Sequence, residues 1–299
     1  MAPQEERIYF VGGTGGVGSK AVRDLLDAGI KVTIYTRQPE KSSFKDQPNV
    51  TLVQGDYSDF TPLEKSIAGH TRLFVLTSNE RPMSQTKGDI AKIAYAAGVR
   101  QIVDVSSITI DIRLSTFLGQ AHNGGEEAIR AAKKFYPNSS ELGYVSLRPW
   151  RYYSNHVLLF KQAINVKNII PGTAAADTIQ GWVSPNDIGA LAAIILQEPI
   201  AKHGDAIYPM VSQLLSGKQR ADIFTKLLSR SITYQPSSIK QQYEIINTAF
   251  HGALHKAAYD LAQDVEPDFH YSPGLSLVLG REPETLEEWI LKNKSQFIV

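Results

Sequence analysis

The chain has 299 residues, of which 42% are hydrophobic, enough for one large domain or for a domain with a smaller lobe. Its 31 basic and 30 acidic side chains give a formal net charge of +1, which argues against a strongly basic surface for nucleic acid or an anionic membrane. The absence of cysteine excludes disulfides and cysteine-ligated metals, and it fits a reducing compartment.

Targeting signals are also absent from the sequence. The N-terminal residues contain no apolar run typical of a signal peptide, and nowhere do about 18 consecutive apolar residues occur that could span a bilayer. We therefore expect a cytoplasmic protein whose partner is a small molecule, and neither nucleic acid nor a membrane.

The first third of the chain alternates between strand-like and helix-like patterns. Between the strand-like runs "RIYFV" and "KVTIY", apolar residues recur at helical spacing in "GVGSKAVRDLLDAG". Further runs of strand length follow in "VTLVQ", "RLFVL" and "QIVDV". Strands separated by helices predict right-handed crossovers and a doubly wound, parallel α/β sheet of the Rossmann type.

The later sequence predicts the remaining elements and the domains. Helices are expected around Met83–Ala97 and His122–Phe135, a strand at 143–147, and a helix in "VSPNDIGALAAIILQ" with Ser184–Asp187 as its cap region. Further helices are expected in "QRADIFTKLLSR", "SIKQQYEIINTAFHGALHKAAYDLAQ" and "TLEEWILKN". We expect a dinucleotide-binding domain at 1–155, to which 182–200 returns, and a smaller, mainly helical substrate-binding lobe formed by 156–181 and 201–299.

A glycine cluster separates the first strand from the first helix. Gly12, Gly15 and Gly18 form a G-x-x-G-x-x-G pattern, in which the first glycine permits a tight turn and the last permits close helix packing. Gly15 allows the backbone to approach a pyrophosphate, which the helix N-terminus attracts. The motif predicts a dinucleotide site, although a glycine-rich turn without a ligand is the alternative.

The end of the second strand indicates which dinucleotide is bound. NAD-preferring sites carry an acidic residue about 20 residues past the last glycine, whereas this chain has Thr36 and Arg37 there. Arg37 could hold a 2′-phosphate through its planar guanidinium, with Thr36 and Lys41 assisting. The sequence therefore favours NADP(H), unless Arg37 is a solvated loop cation.

Polar residues also follow the third and fourth strands. Asp56 and Tyr57 could contact the adenine, while Thr77, Ser78 and Asn79 follow the next strand. Because the carboxyl ends of parallel strands meet on one rim, we expect these side chains to line one ligand site.

The ordered set of motifs resembles the NmrA-like group of atypical short-chain dehydrogenases/reductases over nearly the whole chain. The matching stretches are "VGGTGGVG", "YTR", "GDYSD", "VSS", "LRPWRYYSN", "WVSPNDIGALAAIIL" and "PETLEEWI". The resemblance implies NADP(H) binding, with the diphosphate surrounded by Gly12, Thr14, Gly15, Gly16 and Val17. It also implies that Arg37 meets the 2′-phosphate, that Thr77–Asn79 meet the nicotinamide-side ribose, and that Pro149–Tyr153 border nicotinamide and substrate.

The usual proton-donor pair of the wider superfamily is absent. In that pair a lysine four residues after a tyrosine lowers the tyrosine pKa, and none of the 13 tyrosines here has a lysine at that offset. His122 falls in the region expected for the tyrosine, with Glu126 four residues later, and Ser106 or Ser107 could bond a substrate carbonyl. The alternative is that His122 has no chemical role.

Aromatic and histidine residues supply weaker signals. Trp150, Tyr152 and Tyr153 could contact a substrate or pack in a core, and Trp150–Ile170 could form a pocket or lid that excludes water from a cleft between the lobes. His251 and His255 share a helical spacing, but they lack a third ligand, and we expect no metal site.

Two functions remain open at this point. The first is an NADPH-dependent reductase that transfers hydride to a small, fairly apolar conjugated carbonyl, quinone or iminium substrate, which needs little acid assistance. The alternative is a non-catalytic NADP(H) sensor that regulates a protein partner.

Overall fold

The computed structural model describes residues 7–78, 81–268 and 273–297. The chain divides into two compact units, of which the first comprises Met1–Leu114, Gly119–Pro149 and Ile188–Pro209, and the second Ser115–Leu118, Trp150–Asp187 and Met210–Val299. The sequence-based domain boundaries after 155, 181 and 200 lie six, six and nine residues from the changes of unit after Pro149, Asp187 and Pro209, and the exchange of Ser115–Leu118 was not predicted.

The first unit is built on a seven-stranded sheet. Its strands are β1 (Arg7–Val11), β2 (Lys31–Thr36), β3 (Val50–Gln54), β4 (Arg72–Val75), β5 (Gln101–Val105), β6 (Gly143–Pro149) and β10 (Ile207–Met210). They lie in the order β10-β6-β5-β4-β1-β2-β3, and the pairs from β3 to β6 are parallel. The chain order reverses direction between β1 and β4, which places a ligand crevice at the carboxyl ends of those strands. The predicted doubly wound α/β sheet is confirmed.

Helices connect these strands. They are α1 (Gly16–Asp27), α2 (Thr61–Ser66), α3 (Met83–Ala96), α4 (Thr109–Ile112), α5 (Phe117–Lys134), α7 (Pro185–Gln197) and α8 (Ile200–His203), with α6 (Asn155–Leu158) in the second unit. On α1 the buried positions include Val17, Ala21 and Leu25, which is the helical spacing expected from the sequence. One core cluster of this unit joins strand residues such as Tyr9 and Val75 to helix residues of α3 and α5.

Helix α5 begins earlier than the sequence suggested. It starts at Phe117 instead of near His122, so His122 lies in the second turn of the helix and not at its N-terminus. The sequence gives little warning of this start, because no capping residue with a matching glutamate or glutamine precedes Phe117.

The second unit combines small sheets with helices. Strands β7 (Arg151–Tyr152), β9 (Ile179–Val183) and β11 (Gln213–Ser216) form one sheet, and β8 (Ile169–Gly172) pairs in parallel with β12 (Thr233–Pro236). The remaining helices are α9 (Gly217–Leu228), α10 (Ile239–Ala249), α11 (His255–Ala262), α12 (Leu275–Leu279) and α13 (Leu286–Lys292). Capping boxes at Ser216, Ser238 and Thr285 define the starts of α9, α10 and α13.

The long helix expected at 238–263 is two helices. His251 and Gly252 adopt positive φ angles of 50° and 73° and end the continuity between α10 and α11. His251 therefore lies in the connection and does not share a helical face with His255, which corrects the sequence interpretation. Across the described ranges, no group of three or more potential metal ligands occurs. No helix in the part of the chain that the structure describes is long and apolar enough to cross a membrane.

Candidate dinucleotide-binding site

Two glycines of the cluster are required by the fold itself. Gly12 has a φ of 91°, and a Cβ there would lie 2.3 Å from the carbonyl oxygen of Leu76 in the segment after β4. A Cβ on Gly18 would lie 2.1 Å from the Gly12 carbonyl oxygen, within the same turn. These two positions therefore allow β1, the turn and α1 to pack closely.

The middle of the cluster faces open space instead. A Cβ placed on Gly15 or Gly16 would meet no atom within 4 Å. Gly15 is the N-cap of α1 and has no side chain, so no cap hydrogen bond from the N-cap residue occupies the first-turn amides. An anion at this position would meet backbone N–H groups and the positive end of the helix dipole.

A cavity of about 320 Å³ lies at this end of the sheet. It is lined by residues at or just after the ends of four neighbouring strands, namely Val11, Gly12, Thr14, Gly15, Tyr35, Thr36, Arg37, Gly55, Asp56, Tyr57, Leu76, Thr77 and Ser78. Nine predicted cofactor residues are thus brought together: Gly12, Thr14, Gly15, Thr36, Arg37, Asp56, Tyr57, Thr77 and Ser78. Other predicted residues do not line the cavity, namely Gly16, Val17, Gly18, Lys41 and Pro149.

These other residues have local explanations. Val17 and Gly18 are buried on the sheet side of α1, and Gly16 is its first residue. Lys41 is exposed at the end of the short 3₁₀ turn Pro39–Lys41. Pro149 ends β6 and is buried. Asn79 lies outside the described residues.

Arg37 and Asp56 set the charge at the β2 and β3 ends of the cavity. The Asp56 carboxylate accepts from the Ser58 hydroxyl and from the Ser58 backbone N–H at 2.7 Å. These bonds, with a smaller contribution from the Arg37 charge, lower the pKa of Asp56 below its usual value. Asp56 is therefore an anion near neutral pH and adds a negative charge to the cavity wall that Arg37 also lines.

Tyr35 and Gly55 were not singled out from the sequence. The Tyr35 hydroxyl donates to the Asp56 carbonyl oxygen at 2.6 Å, and burial raises the tyrosine pKa, so the phenol is neutral. A Cβ on Gly55 would lie 2.4 Å from that hydroxyl oxygen. The signal in the sequence was the glycine directly after a strand, which indicates a close approach by another group.

Thr77 presents a buried polar atom for which the described residues supply no partner. It is 8% exposed, and its Oγ1 is buried without a hydrogen-bond acceptor or donor among the described residues. Ser78, beside it, is exposed. A buried hydroxyl in a cavity wall is stabilised when a ligand supplies its partner, so the lining fits a polar ligand such as a dinucleotide.

His122 differs from the expectation of an acid near neutral pH. Burial, together with the Lys87 charge, lowers its pKa to about 3 despite an opposite influence from Glu126. The imidazole is therefore neutral at pH 7, which disfavours an imidazolium as the proton donor, and a role of His122 in proton transfer stays a prediction. Its Nδ1 is buried and has no hydrogen-bond partner within the described ranges.

A buried polar cluster beside His122 was not predicted. Glu126 accepts from Ser146 Oγ at 2.6 Å and from Arg148 Nε and Nη2 at 2.9 and 2.8 Å. Although burial opposes it, these bonds lower the pKa of Glu126 to about 2. Lys87 pairs with Asp104 at 2.7 Å, with both side chains at most 1% exposed. The position four residues after His122 therefore carries a paired anion in place of the usual lysine.

The two predicted serines occupy different environments. Ser106 is 3% exposed, and its Oγ lies close enough to Glu126 to lower the carboxyl pKa, although no contact has hydrogen-bond geometry. Ser107 accepts from the backbone N–H and the hydroxyl of Thr109 at 3.2 and 2.9 Å, which begins the short helix α4.

The three aromatic residues after β6 also separate. Tyr153 is fully buried in the core of the second unit, where its hydroxyl donates to Gln213 at 2.8 Å. The sequence left core packing open as the alternative to substrate contact, and Tyr153 packs in the core. It is therefore not available as a substrate-binding residue. Trp150 is 5% exposed and packs on Gly181, where a Cβ would lie 3.0 Å from the ring. Tyr152 is half-buried.

Known proteins resemble the chain in sequence and in fold. The chain is 22% identical in sequence to a Streptomyces griseus enzyme, (4-alkanoyl-5-oxo-2,5-dihydrofuran-3-yl)methyl phosphate reductase. The aligned region covers 97% of this chain and 99% of that enzyme. The NADPH complex of the Escherichia coli NADPH-dependent quinone oxidoreductase has a TM-score of 0.78 at 22% identity, over 96% of this chain and 99% of that one. NmrA, a negative transcriptional regulator in complex with NAD, gives 0.78 at 17% identity over 99% of both chains.

The structural neighbours share the fold, in agreement with the predicted resemblance to NmrA-like proteins. A family model described as NAD(P)H-binding matches residues 12–199, well over half of the chain and including every residue that lines the cavity except Val11. The chain therefore belongs to the NAD(P)H-binding family.

Proposed function

We propose that this protein is an NADPH-dependent reductase that transfers hydride to a small, fairly apolar conjugated carbonyl, quinone or iminium substrate. The observation that carries the proposal is the cavity at the strand ends, in which the uncapped start of α1 and Arg37 line one space. The relatives support the chemistry, because the Streptomyces griseus protein and the Escherichia coli protein are both named as reducing enzymes.

Different residues of the cavity would bind different parts of the dinucleotide. The amides near Gly15 would bind the diphosphate, and Arg37 at the end of β2 would bind the 2′-phosphate. Asp56 and Tyr57 would meet the adenine, and Thr77 with Ser78 would bond the ribose next to the nicotinamide. When bound, the dinucleotide supplies the hydride.

The acid requirement of the reaction selects the substrate class. Reduction of a simple ketone leaves an alkoxide that needs a proton at once, whereas an iminium is already charged and a reduced quinone is a stabilised oxyanion. The chain has no Tyr-x-x-x-Lys pair, and its His122 is neutral near pH 7. Neutral His122 can still donate one N–H hydrogen bond to a developing oxyanion, and we propose this role in place of an acid.

Trp150 and Tyr152 are proposed as apolar contacts for the substrate. Trp150 directly follows β6 and Tyr152 lies in the short strand β7 just after it, near the carboxyl end of β6, where ligands bind in sheets of this type. Tyr153 is not part of this proposal, because it is fully buried.

A non-catalytic NADP(H) sensor is the second candidate. It is favoured by the same missing pair and by the fold shared with NmrA, which is described as a negative transcriptional regulator. Both candidates use the same cavity and differ in whether any acceptor is reduced.

The test measures NADPH oxidation with a panel of quinones, enones and iminium compounds, beside titrations with NADP(H) and NAD(H). The reductase predicts turnover of at least one acceptor class and tighter binding of NADP(H) than of NAD(H). Tight NADP(H) binding without turnover of any acceptor would support the sensor instead. Equal turnover by His122→Phe with an identified acceptor would remove His122 from the mechanism.

A further inference from the structure

A second cavity lies entirely within the second unit. It measures about 60 Å³ and is lined by Arg220, Trp182, Phe160, Tyr234 and Leu261, among others. One water needs about 10–15 Å³ on this measure, so the space accommodates a group of about four or five heavy atoms.

Two arginines, Arg151 and Arg220, line the cavity, and Arg220, on α9, is the more deeply buried. The side chain is 3% exposed, and the guanidinium carbon lies 4.3 Å from the centroid of the Trp182 ring. Its Nη1 is 3.2 Å from His156 Nε2. His156 Nδ1 lies 2.8 Å from the Tyr153 carbonyl oxygen, so Nδ1 carries the proton and Nε2 accepts from the arginine.

No carboxylate neutralises Arg220 by direct contact. Asp264 and Asp268 bind Arg151, and Asp268 also accepts from the backbone N–H of Gly181 at 2.6 Å. Among the described residues, Arg220 forms no ion pair within 4.0 Å. Burial, with the Arg151 charge adding to it, lowers the pKa of Arg220 to about 10 despite opposite influences from Tyr234 and Asp264. A buried guanidinium without a counterion is energetically costly, so a bound anion would stabilise it.

Two buried donors in the cavity wall lack acceptors. Arg220 Nε and Trp182 Nε1 have no hydrogen-bond partner within the described ranges, and both residues line the cavity. No buried side-chain acceptor of the lining residues is without a partner in those same ranges. The Asp264 carboxylate also lines the cavity, but it is paired with Arg151, and the two buried atoms of the wall that lack partners in the described ranges are both donors. This fits a ligand that accepts hydrogen bonds.

We propose that this cavity, which we call the Arg220 site, binds a small organic carboxylate. The carboxylate oxygens would accept from Arg220 and from the Trp182 indole, and the attached carbon would contact Phe160 and Leu261. The site serves either the carboxylate group of a substrate or a separate carboxylate effector. A neutral amide of the same shape adds donors to a wall that already has too many, so it would bind poorly.

The test uses acetate as the probe and requires neither cofactor nor turnover. Acetate is titrated into ¹⁵N-labelled full-length protein while the indole N–H resonances are followed, and the Trp182 signal is assigned by its loss in Trp182→Phe. We expect saturable movement of this signal with acetate, and none with acetamide or with chloride at equal ionic strength.

Variants locate the binding and keep the test independent of folding defects. Arg220→Gln is expected to weaken acetate binding at least tenfold, and Trp182→Phe, which keeps an aromatic ring, about fivefold by loss of one hydrogen bond. Because Trp182→Phe lacks the indole signal, its acetate affinity is measured from the backbone amide resonances that acetate shifts in the wild-type protein. Lys226→Gln removes an exposed cation from the same helix and should leave binding unchanged. Circular dichroism and NADPH affinity report whether each variant is folded.

Several results would overturn the assignment. Unchanged acetate affinity in folded Trp182→Phe and Arg220→Gln would place the anion elsewhere, and equal binding of acetamide or chloride would exclude a carboxylate site. Absence of any saturable acetate shift in the wild-type protein would exclude it as well. If acetate binds, its effect on the reduction of an identified acceptor distinguishes the two sources. Inhibition that a higher acceptor concentration relieves indicates that the site holds a substrate carboxylate. Inhibition or activation that a higher acceptor concentration does not relieve indicates an effector.

Discussion

Gly15→Ala tests whether the open space beside Gly15 is needed for folding or for cofactor binding. A Cβ on Gly15 would meet no protein atom within 4 Å, and its φ of −82° and ψ of 173° are open to alanine. The lower entropy of the unfolded chain favours the variant by about 0.4–1 kcal/mol, whereas alanine is the poorer N-cap by a similar amount. We therefore expect the unfolding free energy of the apoprotein to change by less than about 1 kcal/mol.

The effect on binding should be much larger than the effect on stability. If the diphosphate approaches the start of α1 as proposed, the new methyl group occupies its position, and we expect NADPH affinity to fall at least tenfold, or about 1.4 kcal/mol. Gly12→Ala is the matched control, because its Cβ would lie 2.3 Å from the Leu76 carbonyl oxygen at a φ of 91°. That variant should lose roughly 2–5 kcal/mol of stability from backbone strain and overlap.

Denaturant unfolding of the apoproteins and calorimetric titration with NADPH measure the two effects. The reasoning is refuted if Gly15→Ala binds NADPH as tightly as the wild-type protein, since the open space at the helix start would then not hold the diphosphate. It is equally refuted if Gly12→Ala is as stable as Gly15→Ala.

Three further predictions concern single side chains. Arg37→Gln should weaken NADPH binding about 10- to 100-fold and leave NADH binding within about twofold. Titration measures both affinities, with Lys41→Gln as the control, and equal losses for both cofactors would contradict the 2′-phosphate role. Thr77→Val should leave the stability of the apoprotein unchanged or slightly higher, because the buried Thr77 hydroxyl has no partner in the described ranges. It should weaken NADPH binding about fivefold, and unchanged binding would mean that the cofactor does not bond this hydroxyl. Burial and the Arg220 charge lower the pKa of His156 from 6.5 to about 3, so the unfolded chain takes up this proton at a higher pH than the folded protein does. The unfolding free energy should therefore fall as the pH drops below 6.5, by up to about 2 kcal/mol at pH 5. His156→Gln should show a shallower decline in urea unfolding, and an unchanged pH slope would refute the assignment.

The sheet was predictable because its signals are local. Apolar runs of strand length alternate with helical patterns, and parallel pairing follows from the crossovers that such alternation requires. The start of α5 was less predictable, since Phe117 is not preceded by a capping box, whereas Ser216, Ser238 and Thr285 mark their helices clearly.

The cofactor residues were predictable where the backbone decides their position. Arg37, Asp56 and Thr77 each come within two residues of the end of a parallel strand, and the topology brings those strand ends to one cavity. Lys41 was attributed to the site by its charge, but the turn Pro39–Lys41 exposes it away from the cavity lining.

Properties that depend on burial could not be obtained from the sequence. His122 has helical spacing to Glu126 in the sequence, but its low pKa arises from burial beside Lys87, which belongs to another helix. In the same way, the pairing of Arg220 with His156 joins residues 64 positions apart. Such contacts depend on tertiary packing, for which a single sequence contains no local pattern.

The central claim is that the bound dinucleotide is a hydride donor. It is tested most directly by single-turnover reduction with NADPH deuterated at nicotinamide C4, using each acceptor of the panel in excess over the protein, followed by mass analysis of the product. We predict that one acceptor class gains one deuterium on carbon when hydride is added there, or is reduced stoichiometrically with NADP⁺ formation in the case of a quinone. Stoichiometric binding of NADPH with no oxidation by any acceptor would contradict a reductase and leave the sensor as the function of this site.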